Sequence, residues 1–208
     1  LVALQVPADA PPAAAGLFDR PACLHTLHAD IMPRLRSYPL PGIWLAEATS
    51  PEDVLALIAL LHEHGLAHSA QIYVTAADAQ HLEALRAASI STARFAACVQ
   101  AYRAAGGACD LGKLVWMRDG AVQVRHEVDI VWAQHSLETD ASFNEFDLVV
   151  CMRALMHFAP QRRARILRLF AESLPLLGML ALMPTLPAPH LPGFNGIVPA
   201  AGYYRRAL

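Results

Sequence analysis

Histidine, cysteine and arginine are the residues of this chain whose grouping invites chemistry. His62, His64 and His68 follow one another closely, and imidazoles are common zinc ligands. Gly65 interrupts the helix that would carry them, so convergence on a metal does not follow and a solvated helix end is the expectation. His25 and His28 sit three apart on one helix face, where a metal ligand pair is again the minority reading. No metal is expected. Arg162, Arg163, Arg165 and Arg168 form a basic helix. A solvated face is its default reading, and a docking surface for an acidic partner the alternative. Cys151 ends an apolar run and reads as core packing. Arg153 and His157 follow it, but the third, activating group that nucleophilic catalysis needs is not identifiable.

The elements that must position these residues alternate between strand and helix. Residues 1–16 are rich in Ala and Pro and read as a linker or tail. From Arg20 to Leu35, Leu24, Leu27, Ile31 and Leu35 recur at helical spacing. Gly42–Ala46 reads as a buried strand. Ser50 is a helix N-cap with Pro51 in the first helical position, its hydroxyl expected to accept from the Asp53 N–H. Val54, Leu57, Ile58 and Leu61 give that helix one apolar face, and Gly65 ends it. Ala70–Thr75 is a second strand, and helices follow over 78–88 and 92–105. Lys113–Met117 and Ala121–Arg125 flank Arg118-Asp119-Gly120 as a hairpin. Ile130–Gln134, Phe146–Cys151 and Met179–Met183 are further strands, with a helix from Pro160 before the last of them. Tyr203–Arg206 closes the chain as a strand. This pattern predicts an α/β fold, a mainly parallel sheet with helices on both faces and a small hairpin insertion over 112–125.

Composition narrows the class of function. The chain has 208 residues, 55% hydrophobic and 16% charged, with a formal net charge of −2. Such a chain buries a full core, which excludes disorder for most of its length, and it lacks the basic surplus that marks nucleic-acid binders. No apolar run reaches the roughly 18 residues of a membrane span. Cys23, Cys98, Cys109 and Cys151 lie far apart with no CxxC, so a reducing, cytoplasmic compartment is expected. Leu1 rather than Met opens the chain, so the natural start is expected to have been cut away or processed.

One block is specific enough to compare with a known family. Ala133-Gln-His-Ser-Leu137, Ser142-Phe-Asn-Glu-Phe-Asp147 and Cys151-Met-Arg-Ala-Leu-Met-His-Phe158 resemble the AQHNL, SFNEFD and CRNVφIYF segments (φ apolar) of CheR-type chemotaxis-receptor methyltransferases. Arg36-Ser-Tyr-Pro39, Ile72-Tyr-Val-Thr75, Tyr102-Arg-Ala-Ala-Gly-Gly107 and Leu169-Phe-Ala-Glu-Ser-Leu174 also fit that family. The resemblance covers 17–208 and implies a Rossmann-like S-adenosylmethionine (SAM) fold, with the ligand crevice at the carboxyl ends of the strands.

The same comparison shows what this chain lacks. The family's glycine-bearing loop after the first strand, A-G-C-(A/S)-T-G-E-E, is here Ala46-Glu-Ala-Thr-Ser-Pro-Glu-Asp53. Both glycines are gone. Glu47 adds bulk where a backbone must approach a ligand, Pro51 removes an N–H, and Glu52 is the acidic position that survives. The acid that ends the family's second strand and holds the ribose hydroxyls is Ala76. The asparagine of HNL is Ser136, the C-R-N after strand four is Cys151-Met152-Arg153, and the tyrosine after it is His157. The family's upstream arginine, near the methyl-transfer site, corresponds to Asp19.

The resemblance therefore implies a degenerate crevice lined by Glu47, Thr49, Ser50, Glu52, Ala76, Ser136, Met152 and Arg153. The reading is a domain that has lost SAM binding and catalysis, with no cofactor expected, and that binds a protein partner of a bacterial signalling pathway, a fused domain or another ligand. The alternative is an active SAM-dependent protein-glutamate O-methyltransferase, with Glu52, Thr49 and Ser136 around the cofactor and Arg153 and His157 facing the substrate. A third reading is a crevice adapted to another nucleotide or signal molecule. Glu47 and Arg153 are expected on the rim of one narrowed crevice.

Overall fold

The computed structural model describes residues 16–118, 120–125, 127–152, 155, 158–184 and 191–207. A short 3₁₀ turn, Leu17–Asp19, leads into α1 (Pro21–Thr26), and α2 is Met32–Leu35. The strands of the main sheet are β1 (Gly42–Leu45), β2 (Gln71–Ala76), β6 (Asp129–Gln134), β7 (Leu148–Cys151), β8 (Met179–Leu182), β9 (Phe194–Val198) and β10 (Tyr203–Arg206). They lie side by side in the order β6-β2-β1-β7-β8-β10-β9. Successive pairs from β6 to β8 are parallel, and β10 is antiparallel to both its neighbours. Between β2 and β6 the chain forms α4 (Ala79–Ala87), β3 (Ile90–Ser91), α5 (Thr92–Ala104), β4 (Val115–Arg118) and β5 (Ala121–Val124). The remaining helices are α3 (Pro51–Glu63), between β1 and β2, and α6 (Pro160–Glu172), between β7 and β8. This is the Rossmann-like methyltransferase fold that the sequence predicts.

Alternation along the strands divides the core in two. Ile43, Leu45, Ile72, Val74, Leu148 and Val150 face the cluster that includes α1, α3 and residues of α4 and α5. Trp44, Val149, Cys151 and Leu180 face α6 through Ile166, Leu169 and Phe170. A period of two side chains sends neighbours to opposite faces, so helices cover both. Cys151 is fully buried there, as expected of a packing residue.

Four details depart from the sequence reading. The first helix is not continuous, because Leu27–Ile31 is a π-helical turn between α1 and α2. Pro33 explains the position: its ring has no N–H to give and crowds the carbonyl four residues back, which a wider turn relieves. The insertion is a three-stranded sheet rather than a hairpin, since β3 pairs with β5 in the order β3-β5-β4. Residues 111–114 form a 3₁₀ turn, so the first hairpin strand starts at Val115. Finally, β9 was not anticipated, because Asn195 and Gly196 break the apolar run that would mark it.

Candidate functional site

The chain leaves β1 for β2 on one side, while β7 lies on the other. The carboxyl end of β1 is therefore a topological switch point, the place where open α/β sheets form a ligand crevice. Four adjacent parallel strands end there. Glu47, Thr49 and Ser50 follow β1, Ala76 ends β2, Ser136 lies two residues beyond β6, and Met152 follows β7. The structure thus brings the sequence-predicted positions to one edge of the sheet. Arg153 and His157 lie outside the described residues, and with them the expected placement of Arg153 and Glu47 on one crevice rim.

The β1–α3 loop is fixed at both sides. The Ala46 N–H donates to the Val150 carbonyl at 2.8 Å, and the Ala48 N–H donates to the Thr75 carbonyl at 2.9 Å. Between them Glu47 adopts φ +52°, the left-handed region that costs a side-chain-bearing residue about 1–2 kcal/mol. The backbone here adopts a conformation suited to glycine. His81, in the first turn of α4, reaches across to the Ala48 carbonyl at 3.2 Å.

Downstream, Ser50 caps α3 as predicted, with one correction. Its hydroxyl oxygen accepts from the Glu52 N–H at 3.1 Å, and the Asp53 N–H goes to the Ser50 carbonyl instead. Thr49 is exposed and Ser50 half-buried.

Ala76 is 2% exposed, and the His135 N–H donates to its carbonyl at 2.9 Å. No carboxylate ends β2. The next acid along the chain, Asp78, caps α4 by accepting from the His81 N–H at 2.7 Å. Ser136 opens a turn: its N–H donates to Asp140 and its hydroxyl accepts from the Glu138 N–H. His135 is buried against Trp44 and Phe143, with ring centroids 5.1 and 4.8 Å away, and its Nε2 meets the Ala141 carbonyl at 3.0 Å.

Sequence reasoning missed the strongest polar feature beside this loop. Arg94, near the start of α5, places Nε and Nη2 at 2.9 and 2.6 Å from Glu52 and Nη1 and Nη2 at 2.7 and 2.8 Å from Asp19. One guanidinium thus ties the 3₁₀ turn to the first turn of α3. The Asp19 carboxyl is held below its usual range by the Arg94 hydrogen bonds. The signal in the sequence was the charge reversal at Asp19, where the family has an arginine. A carboxylate there requires a cation from elsewhere, and Arg94 supplies it.

Beneath this pair, Asp53 is buried and accepts from the Leu17 N–H at 2.7 Å. A β-carbon on Gly16 would stand 2.6 Å from the Asp53 carboxylate, so only glycine fits there. Burial pushes the Asp53 carboxyl up to about 6, against the Leu17 hydrogen bond and with help from the charge on Glu52. An acid raised in the folded state destabilises the fold when it ionises. Stability from this group is therefore full below about pH 4 and declines by roughly 3 kcal/mol as pH rises through 6. Asp53→Asn should flatten that slope and raise stability at pH 8 by about 1 kcal/mol. Urea unfolding of both proteins between pH 4 and 8 checks this, and parallel curves would refute it.

The histidines singled out by sequence serve structure at the opposite end of α3. His28 meets Glu63 at 3.0 Å and packs its ring against His64 with centroids 5.0 Å apart. His25 reaches the Ala105 carbonyl at 2.9 Å. His62 and His64 are half-buried with Nε2 enclosed, rather than solvated, whereas His68 is exposed. No group of three or more potential metal ligands occurs among the described residues. On α6, Arg162 pairs with Glu138 at 3.2 Å and Arg165 donates to the Thr139 carbonyl at 2.8 Å, so part of the basic face is engaged within the chain.

Several known proteins similar to this chain are methyltransferases by name. A Pseudomonas putida protein named "Putative methyltransferase Cher3" is 30% identical over 168 residues. The match covers 80% of this chain and 62% of the relative, so the chain spans less than two thirds of that protein. Among solved structures, the N-methyltransferase NodS from Bradyrhizobium japonicum WM9, in complex with S-adenosyl-L-homocysteine, is 16% identical with a TM-score of 0.39, over 80% of this chain and 62% of that one. StiE O-MT, residues 961–1257, is 12% identical with a TM-score of 0.43, over 79% and 43% of the two chains. No family model matches. No described helix is long and apolar enough to cross a membrane.

Proposed function

We propose that this chain is a CheR-like methyltransferase domain that has lost SAM binding and catalysis and serves as a partner- or ligand-binding module in cytoplasmic bacterial signalling. The observation that carries the reading is Ala76. The end of β2 is where a carboxylate would accept two hydrogen bonds from a ribose diol, and here it presents a buried methyl group. Asp78, the next acid, is occupied as a helix cap. Glu47 adds a charged side chain where the loop would lie against the cofactor. Each lost hydrogen bond to a charged group costs about 1.5–3 kcal/mol. The residues present therefore do not fit SAM.

A second reading, an active SAM-dependent protein-glutamate O-methyltransferase, draws support from the left-handed backbone at Glu47, a conformation suited to glycine. Calorimetry separates the two. Titration with SAM and with S-adenosylhomocysteine should give no saturable heat below about 1 mM ligand. A micromolar dissociation constant would overturn the proposal and favour the enzyme.

A further inference from the structure

Next to the β1–α3 loop, the first turn of α3, the insertion sheet, α4 and the edge strand β6 line a cavity of about 210 Å³. Trp116 of β4 and Trp132 of β6 both line it, together with Arg86 and Gln123, and Pro51 and Leu85 are among its apolar lining residues. Its construction follows from register. Trp116 and Gln123 are direct cross-strand partners, so they project on one face of the insertion sheet. Arg86 comes from the last turn of α4.

Three properties of this lining point to a ligand. Trp116 is 58% exposed, so part of its indole remains open to a ligand. The Arg125 guanidinium lies 3.5 Å from the Trp116 ring centroid, which fixes that ring by a cation–π contact. Among the described residues, neither Arg86 nor Gln123 has a side-chain hydrogen bond or ionic partner, and the Trp116 indole N–H has no acceptor. Donors without protein acceptors, in a hollow walled by aromatic and aliphatic groups, are the composition of a small-molecule site.

Size and charge narrow the occupant. A cavity of about 150 Å³ admits benzene, whereas drug-sized ligands need about 300 Å³ or more. This one accommodates a single ring with one substituent. Indole faces favour a planar ring, and the positive charge of Arg86 favours an anionic substituent with bidentate geometry.

We propose that this cavity is a binding site for a small aryl carboxylate, its ring between Trp116 and Trp132 and its carboxylate on Arg86. The site does not depend on whether the crevice binds SAM.

The test uses the whole chain and benzoate as the probe, read by the indole N–H signals of the three tryptophans in ¹⁵N-correlated spectra. The Trp116 and Trp132 signals should shift saturably, with a dissociation constant below about 1 mM. The Trp44 signal should stay in place, because that ring is buried against α6. Benzamide, the uncharged isostere, should bind at least about tenfold more weakly. Arg86→Gln should weaken benzoate by about tenfold and leave benzamide unchanged. Arg86 is exposed, and an unmoved Trp44 signal in the variant reports that it has folded. Absence of a saturable shift up to about 10 mM benzoate would overturn the proposal. So would equal binding of benzamide, or undiminished benzoate binding by the variant.

Discussion

Replacing Glu63 with alanine should lower the stability of the fold by roughly 3 kcal/mol, because one carboxylate here satisfies four donors from three segments. Glu63 ends α3. Its oxygens accept from the Tyr102 hydroxyl at 2.6 Å, from His28 Nε2 at 3.0 Å, and from the N–H groups of Ala108 and Cys109 at 2.9 and 3.0 Å. They thereby join the π-helical turn, α5 and the loop after it to α3. Tyr102 is 1% exposed, so its hydroxyl would be left buried without an acceptor, and an orphaned buried donor costs about 1–3 kcal/mol by itself. Glu63→Gln keeps one acceptor oxygen and should fall between the two proteins.

The pH dependence has a definite sign. Burial raises the Glu63 carboxyl, but the hydrogen bonds from Tyr102, His28, Ala108 and Cys109 outweigh it and hold it at about 2. A carboxyl depressed in the folded state contributes fully above its ordinary value, near 4.5, and loses that contribution as pH falls toward 2. The stability gap between wild type and Glu63→Ala should therefore be constant from pH 8 to 5 and narrow below about 4.5. Chemical unfolding across that range measures it. A variant within about 0.5 kcal/mol of wild type at pH 7 would show that the four contacts do not act as a latch.

Glu63 also shows where sequence reading stops. The strand Ile43-Trp44-Leu45 and the apolar face of α3 are visible because burial imposes a period on neighbouring residues. The start of α3 is visible because Ser50 and Pro51 act locally. Asp19 with Arg94, and Glu63 with Tyr102, are 75 and 39 residues apart in sequence. Nothing local distinguishes Glu63 or Arg94 from a surface charge, and at Asp19 the signal came from the family comparison alone. The crevice positions were legible for a different reason: they sit at the carboxyl ends of strands whose order the resemblance supplied. What each side chain does there was less legible. Glu47 read as a lost glycine, and its φ of +52° shows a turn of the kind glycine favours, which the sequence of the loop did not reveal.

That turn leads to the second large effect. Ala76→Asp alone should not bring back SAM binding, whereas Glu47→Gly with Ala76→Asp should produce a measurable site. The single variant introduces a carboxylate at a position that is 2% exposed, with Glu47 still on the β1–α3 loop. A buried carboxylate without a partner is costly, so this protein should melt lower than wild type and bind nothing. In the double variant the glycine occupies a backbone already shaped for it. The relief of about 1–2 kcal/mol from the left-handed region is offset by the roughly 0.5–1 kcal/mol of extra chain entropy that glycine brings. Its net effect on stability should be small, and its effect on the crevice should be the removal of a charged side chain. A ribose diol can then donate to the new carboxylate. Calorimetry with S-adenosylhomocysteine should give a dissociation constant below about 1 mM for the double variant and no saturable heat for either single one. Saturable binding by Ala76→Asp alone would show that Glu47 is no obstacle. Silence from the double variant would mean that other crevice positions, Ser136 and Met152 among them, carry the loss.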